Sequence, residues 1–142
     1  MKLIRHLITM ALVAILFVEG ALAQNTCASP FVISSIPFSS GTQTTCGTGN
    51  DYGAGFAPCV SSAYGGGEDY VYQLSVTAAP VTYQFTLGGA ATWKILSLHS
   101  ACPPAAGNCL AGVASSSGSG NFQYSFTTNG TYYLIVDTWP TP

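Results

Sequence analysis

Residues 69–77 read DYVYQLSVT and residues 81–87 read VTYQFTL. In the first stretch Tyr70, Tyr72, Leu74 and Val76 fall on one side of an extended chain, with Val71, Gln73, Ser75 and Thr77 on the other, because successive strand side chains point to opposite faces. In the second, Val81, Tyr83, Phe85 and Leu87 alternate with Thr82, Gln84 and Thr86. Ala79-Pro80 separates the two, so they read as half-buried strands paired with each other.

The same period continues outward from this pair. Trp93 to His99 is apolar on both sides through Ile95, Leu96 and Leu98, the pattern of a strand covered on both faces. Leu110 to Ala114 reads as a short strand, and Ser115 to Gly120 as a loop of small residues. Phe122, Tyr124 and Phe126 then alternate with Gln123, Ser125 and Thr127 before Asn129-Gly130. That dipeptide predicts a tight hairpin turn returning along Thr131 to Thr138. Near the start, Phe31 to Phe38 and Thr42 to Cys46 suggest short strands, with Pro37 confining its segment to an edge. No helical stripe appears after residue 23. About seven or eight short antiparallel strands with two apolar faces to bury predict an all-β, two-sheet β-sandwich, with a barrel as the alternative.

Residues 1–23 carry the elements of a signal peptide. Lys2 and Arg5 give a positive start, Leu7 to Val18 an apolar run, and Ala21-Leu22-Ala23 a small-x-small cleavage pattern before Gln24. The run is short for a permanent bilayer span, which predicts a secreted or surface-attached chain, residues 24–142, forming one domain with no membrane span. Within that part Lys94 is the one Lys or Arg, set against Asp51, Glu68, Asp69 and Asp137. A chain with so little positive charge does not bind nucleic acid through its phosphates. Scarce surface charge also leaves little repulsion between copies, which favours association with a polymer, a glycan or another copy.

All five cysteines lie in the exported part, where an oxidising compartment preserves disulfides. Cys46 and Cys59 bracket a Gly-rich loop, and Cys102 and Cys109 bracket Pro103 to Asn108. Neighbour pairing, Cys46 with Cys59 and Cys102 with Cys109, is the expectation among the three connectivities that four cysteines permit. It leaves Cys27 unpaired in this chain. Zinc is disfavoured, since there is no Cys-x-x-Cys and no histidine at ligand spacing.

Three segments carry a family resemblance: TTCGTGNDY at 44–52, GEDYVY at 67–72 and TYYLIVDTWP at 131–140. Together, and in this order, they resemble the pre-peptidase C-terminal (PPC) domains of secreted bacterial proteins. The resemblance implies a jelly-roll-like sandwich without enzymatic activity, in some members binding calcium or insoluble polymers. It also implies a continuation beyond Pro142 with a further cysteine, an evident partner for Cys27, so that the domain is truncated at its C-terminus.

Catalytic chemistry has few residues to work with. A serine hydrolase needs a histidine base held by a carboxylate, and residues 24–142 contain only His99, in a strand with no motif around it. A glycosidase needs two carboxylates flanking a cleft, and nothing in the spacing places such a pair. No catalytic residue is therefore assigned. Calcium, which takes six to eight oxygen ligands, is the better use for Asn50, Asp51, Glu68 and Asp69, which bracket one Gly-rich loop. Tyr52, Phe56, Tyr64 and Trp139 lie in loops or at a strand end, where exposed rings stack on sugars or polymers. Of these, Tyr52, Tyr64 and Trp139 are the ligand-binding candidates. The expected function is a secreted, non-catalytic accessory or binding domain. The alternative is a structural subunit of an extracellular homopolymeric assembly.

Overall fold

The computed structural model describes residues 26–52 and 64–139. Residues 1–23, Phe56 and Cys59 lie outside them. The described chain is all-β, with strands β1 (Phe31–Ile33), β2 (Tyr70–Val76), β3 (Val81–Leu87), β4 (Lys94–His99), β5 (Cys109–Ser115), β6 (Gly120–Phe126) and β7 (Gly130–Thr138). A 3₁₀ turn, Ala106–Asn108, precedes β5.

Two sheets form, a five-stranded one in the order β1-β2-β7-β4-β5 and a two-stranded one made of β3 and β6. All pairings are antiparallel except that of β1 with β2, which is parallel. The alternation read from the sequence sets the faces. Tyr72, Leu74 and Val76 of β2, Leu96 and Leu98 of β4, and Tyr132 and Leu134 of β7 point the same way and are buried. Leu87 of β3 and Phe126 of β6 complete the same hydrophobic cluster, so both sheets share one core. Phe126 joins them, its ring 4.6 Å from that of Tyr132 and 4.9 Å from that of Tyr124. β5 turns into β6 at a close approach: a Cβ on Gly120 would stand 2.6 Å from a Val113 methyl, so this corner needs glycine.

Partner choice departs from the sequence expectation in two places. β2 pairs with β7 rather than with β3, and β3 pairs with β6, so β6 and β7 are not a hairpin. Both links, 77–80 and 127–129, instead carry the chain from one sheet to the other. They are joined where the Ala79 N–H donates to Asn129 Oδ1 at 2.7 Å. Asn129 serves as a bracket between two links, and Gly130 is already part of β7. β2 and β3, and likewise β6 and β7, thus lie in different sheets instead of pairing with each other.

The second face of the large sheet is also covered. Val71 and Ile135 are fully buried there against Tyr52, Cys102 and Tyr133. All six residues of β4 are buried, as its doubly apolar sequence predicts.

Neighbour pairing of the cysteines is overturned. Cys27 is bonded to Cys102, and Cys46 is free and exposed. Cys109 is disulfide-bonded as well, with a partner outside the described residues. The reason lies in the 102–109 loop, which closes without a bond of its own. Asn108 Oδ1 accepts from Ala105 N–H at 2.9 Å, its Nδ2 donates to the Pro103 carbonyl at 3.1 Å, and its carbonyl accepts from Ser100 N–H at 2.8 Å. Cys102 is thereby released to pin the N-terminal segment across 75 residues of chain, a span over which a cross-link removes more unfolded-state entropy than a short loop does.

Candidate ligand-binding site

The start of β4 and the end of β7 meet at one end of the large sheet, where Lys94 pairs with Thr138. One step further out, the Trp139 N–H donates to the Trp93 carbonyl at 2.8 Å and extends the ladder. Trp93 holds φ at 57°, the left-handed region that a bulky side chain rarely occupies unless its surroundings impose it. The two indoles end 6.4 Å apart with their planes at 89°. Tyr64 adds a third ring, 5.1 Å from Trp93 and tilted by 59°. Trp93 is 38% exposed and Trp139 49%, unusual for the largest side chains of a small domain.

Beneath this trio lies a buried polar layer. Lys94 is 2% exposed, and its ammonium donates to the carbonyls of Gly89 at 2.6 Å and Ala91 at 2.8 Å. Two carboxyl groups follow on the opposite face of the sheet. Asp69 precedes β2 and Asp137 lies near the end of β7, and both are fully buried. Asp69 Oδ2 accepts the N–H groups of Asp51 and Tyr52, each at 2.9 Å, and so ties the 45–52 loop to the sheet. Asp137 Oδ1 accepts from Gly67 N–H at 3.2 Å, tying down the loop that carries Tyr64. Gly67 runs so close to β7 that a Cβ would overlap the Thr138 carbonyl.

The remaining carboxylate oxygens, Asp69 Oδ1 and Asp137 Oδ2, have no N–H or O–H donor. The charge of Asp69 acts on the buried Asp137 carboxyl, and satisfying these two oxygens from within the pair takes a proton shared between them. Burial, reinforced by the charge of Asp69, pushes the Asp137 carboxyl up to about 7. Burial likewise raises Asp69, against the two backbone N–H groups that favour its charged form.

The sequence-predicted residues therefore divide. Tyr64 and Trp139 each lie against Trp93. Tyr52 does not join them, for it packs on Val71 and Ile135 while its hydroxyl accepts from Cys27 N–H at 2.5 Å. Asn50, Glu68 and Asp69 fasten loops through their side chains, and Asp51 does so through its backbone N–H. Asn50 donates to the Gly66 carbonyl at 3.0 Å, and Glu68 Oε2 accepts from Gly47 N–H at 2.8 Å. Among the described residues no three His, Cys, Asp or Glu side chains are grouped as metal donors.

Two participants escaped the sequence reading. Trp93 reads as the first residue of a strand covered on both faces, yet it stands one residue outside β4. Asp137 carried a usable signal, since alternation from Tyr133 through Ile135 directs it to a buried face.

His99 belongs elsewhere. Its Nε2 lies 3.0 Å from Ser97 Oγ and its Nδ1 2.9 Å from Asn108 Oδ1. Ser97 and His99 are both fully buried, and burial holds His99 below its ordinary pKa. The trio anchors the 102–108 loop on β4.

Among the described residues no helix is long and apolar enough to cross a membrane. Comparison with protein-family models, with curated proteins and with solved structures finds no match. The resemblance to PPC domains accordingly stands on the three quoted segments.

Proposed function

We propose that this chain is a secreted, non-catalytic binding module of β-sandwich architecture that attaches to a neutral extracellular polymer through Tyr64, Trp93 and Trp139. The observation that carries the reading is the exposed pair of indoles, one of which, that of Trp93, stands on a backbone held in the left-handed region. A monomer that leaves two tryptophans in water gains nothing in folding from them, whereas sugar or polymer faces stack well on such rings. Export rests on the signal-like residues 1–23 and agrees with the Cys27–Cys102 disulfide. Neutrality of the ligand follows from Lys94, the one Lys or Arg of residues 24–142, whose ammonium is buried and held by two carbonyls. An anionic polymer would find no cation to pair with among the lysines and arginines.

The test is depletion of the 24–142 protein from solution by insoluble cellulose, chitin, β-1,3-glucan, collagen and elastin. At least one polymer is expected to retain it. The double variant W93A/W139A is expected to lose about tenfold or more in affinity, since each lost ring contact is worth roughly 1 kcal/mol. Unchanged retention of the double variant, or no retention by any of the polymers, would overturn the reading.

A further inference from the structure

We infer that the three rings form a corner that grips a single neutral glycan chain, rather than a platform that lies on a crystalline face. The inference deepens the reading above and rests on it. A flat polymer surface is parallel to every ring that stacks on it. Trp93 and Trp139 stand at 89° to each other, and Tyr64 is tilted by 59° from Trp93, so no plane can stack on two of these rings at once. A crystalline surface would meet one ring and be held off the others.

A pyranose in a free chain has a different shape. It offers an apolar C–H face and, around its rim, hydroxyls that can accept from or donate to a neighbour. A right-angled pair of indoles supplies a face for the first and an edge with one N–H donor for the second.

The corner is also set before ligand arrives. Its two tryptophans are joined through the main chain by the Trp139 N–H to Trp93 carbonyl bond and held by β4 and β7, so little backbone freedom is left to lose on binding. Aromatic stacking without a charged partner predicts an affinity that salt scarcely changes.

Cellohexaose, chitohexaose, laminarihexaose and maltohexaose serve as soluble probes, followed through tryptophan emission. Trp93 and Trp139 are the only two tryptophans, so the emission reports on the corner alone. At least one hexasaccharide is expected to give a saturable change, to release the protein from its insoluble polymer, and to keep its affinity within about twofold between low salt and 0.5 M salt. Amorphous, swollen polymer is expected to retain several-fold more protein than the crystalline form of equal mass. Retention by crystalline polymer that no soluble chain can match or release would overturn the corner and leave polymer binding intact. Retention by collagen or elastin alone would overturn the glycan assignment in the same way. Absence of binding to every soluble and insoluble probe would overturn both.

Discussion

Truncating Phe126 to alanine is expected to lower the unfolding free energy by about 4 kcal/mol, read as a fall in the urea midpoint with little change in slope. The ring is 1% exposed and lies against Tyr83, Phe85, Tyr124 and Tyr132, which belong to both sheets. Its removal costs the transfer free energy of a buried phenyl ring and leaves a cavity that two paired strands cannot close without losing register. Tyr83→Ala makes the control, because that side chain is only partly buried and its loss should cost clearly less. A loss below about 1 kcal/mol for Phe126→Ala would mean that β3 and β6 do not pack on the large sheet as described.

The second large effect concerns pH. Asp137 sits at about 7 in the folded protein, well above the ordinary carboxylate value of 3.8. The folded state therefore holds a proton that the unfolded chain gives up. The stability tied to that proton is fully present below about pH 4 and is lost as pH rises through about 7. Above that point two carboxylates face each other in a buried layer, and the ties to Gly67 and to the 45–52 loop are strained by their repulsion. The variant Asp137→Asn replaces the shared proton with an amide N–H that can donate to Asp69 Oδ1 at any pH. At pH 8 it is expected to be more stable than the parent by about 2 kcal/mol, and near pH 5 to differ little.

Asp69, also raised by burial, leaves the variant a weaker slope of the same sign. His99 works in the opposite direction. Burial lowers its pKa, so the stability it contributes is present above its unfolded value and is lost as pH falls. Thermal melts of the two proteins from pH 4.5 to 8.5 check this, and parallel curves for parent and Asp137→Asn would contradict the shared-proton account.

These two effects mark the limits of what the sequence discloses. Period-two alternation identified the strands from Tyr70 onward and told which side of each is apolar, because burial acts residue by residue. It left partners undetermined. A hairpin and a link between two separate sheets need the same alternation, so Asn129-Gly130 reads as a turn until Asn129 is seen to bind Ala79 across the neighbouring link. The cysteines failed for a related reason. Cys102 and Cys109 are close in sequence, but the loop between them is held by Asn108, and Cys102 is used for the distant Cys27.

At the candidate site, loop aromatics were legible as a class while their grouping was not. Tyr52 and Tyr64 look alike in sequence; one is spent covering Val71 and Ile135, and the other meets Trp93. Trp93 was hidden because its position one residue outside β4 depends on a left-handed backbone that alternation does not encode. The bonding of Asn50, Asp51, Glu68 and Asp69 was not legible, because the hydrogen bonds that engage them come from backbone groups with no sequence signature.

The central claim is that ligand binds where Tyr64, Trp93 and Trp139 meet, and nitrogen-labelled protein tests it most directly. The ¹H–¹⁵N spectrum of residues 24–142 contains two indole N–H signals, one from each tryptophan. Titration with the same four soluble hexasaccharides is expected to move both signals together and saturably, along with the amide of Tyr64. Indole signals that stay fixed while amides elsewhere shift, or a spectrum unmoved by every probe, would contradict it.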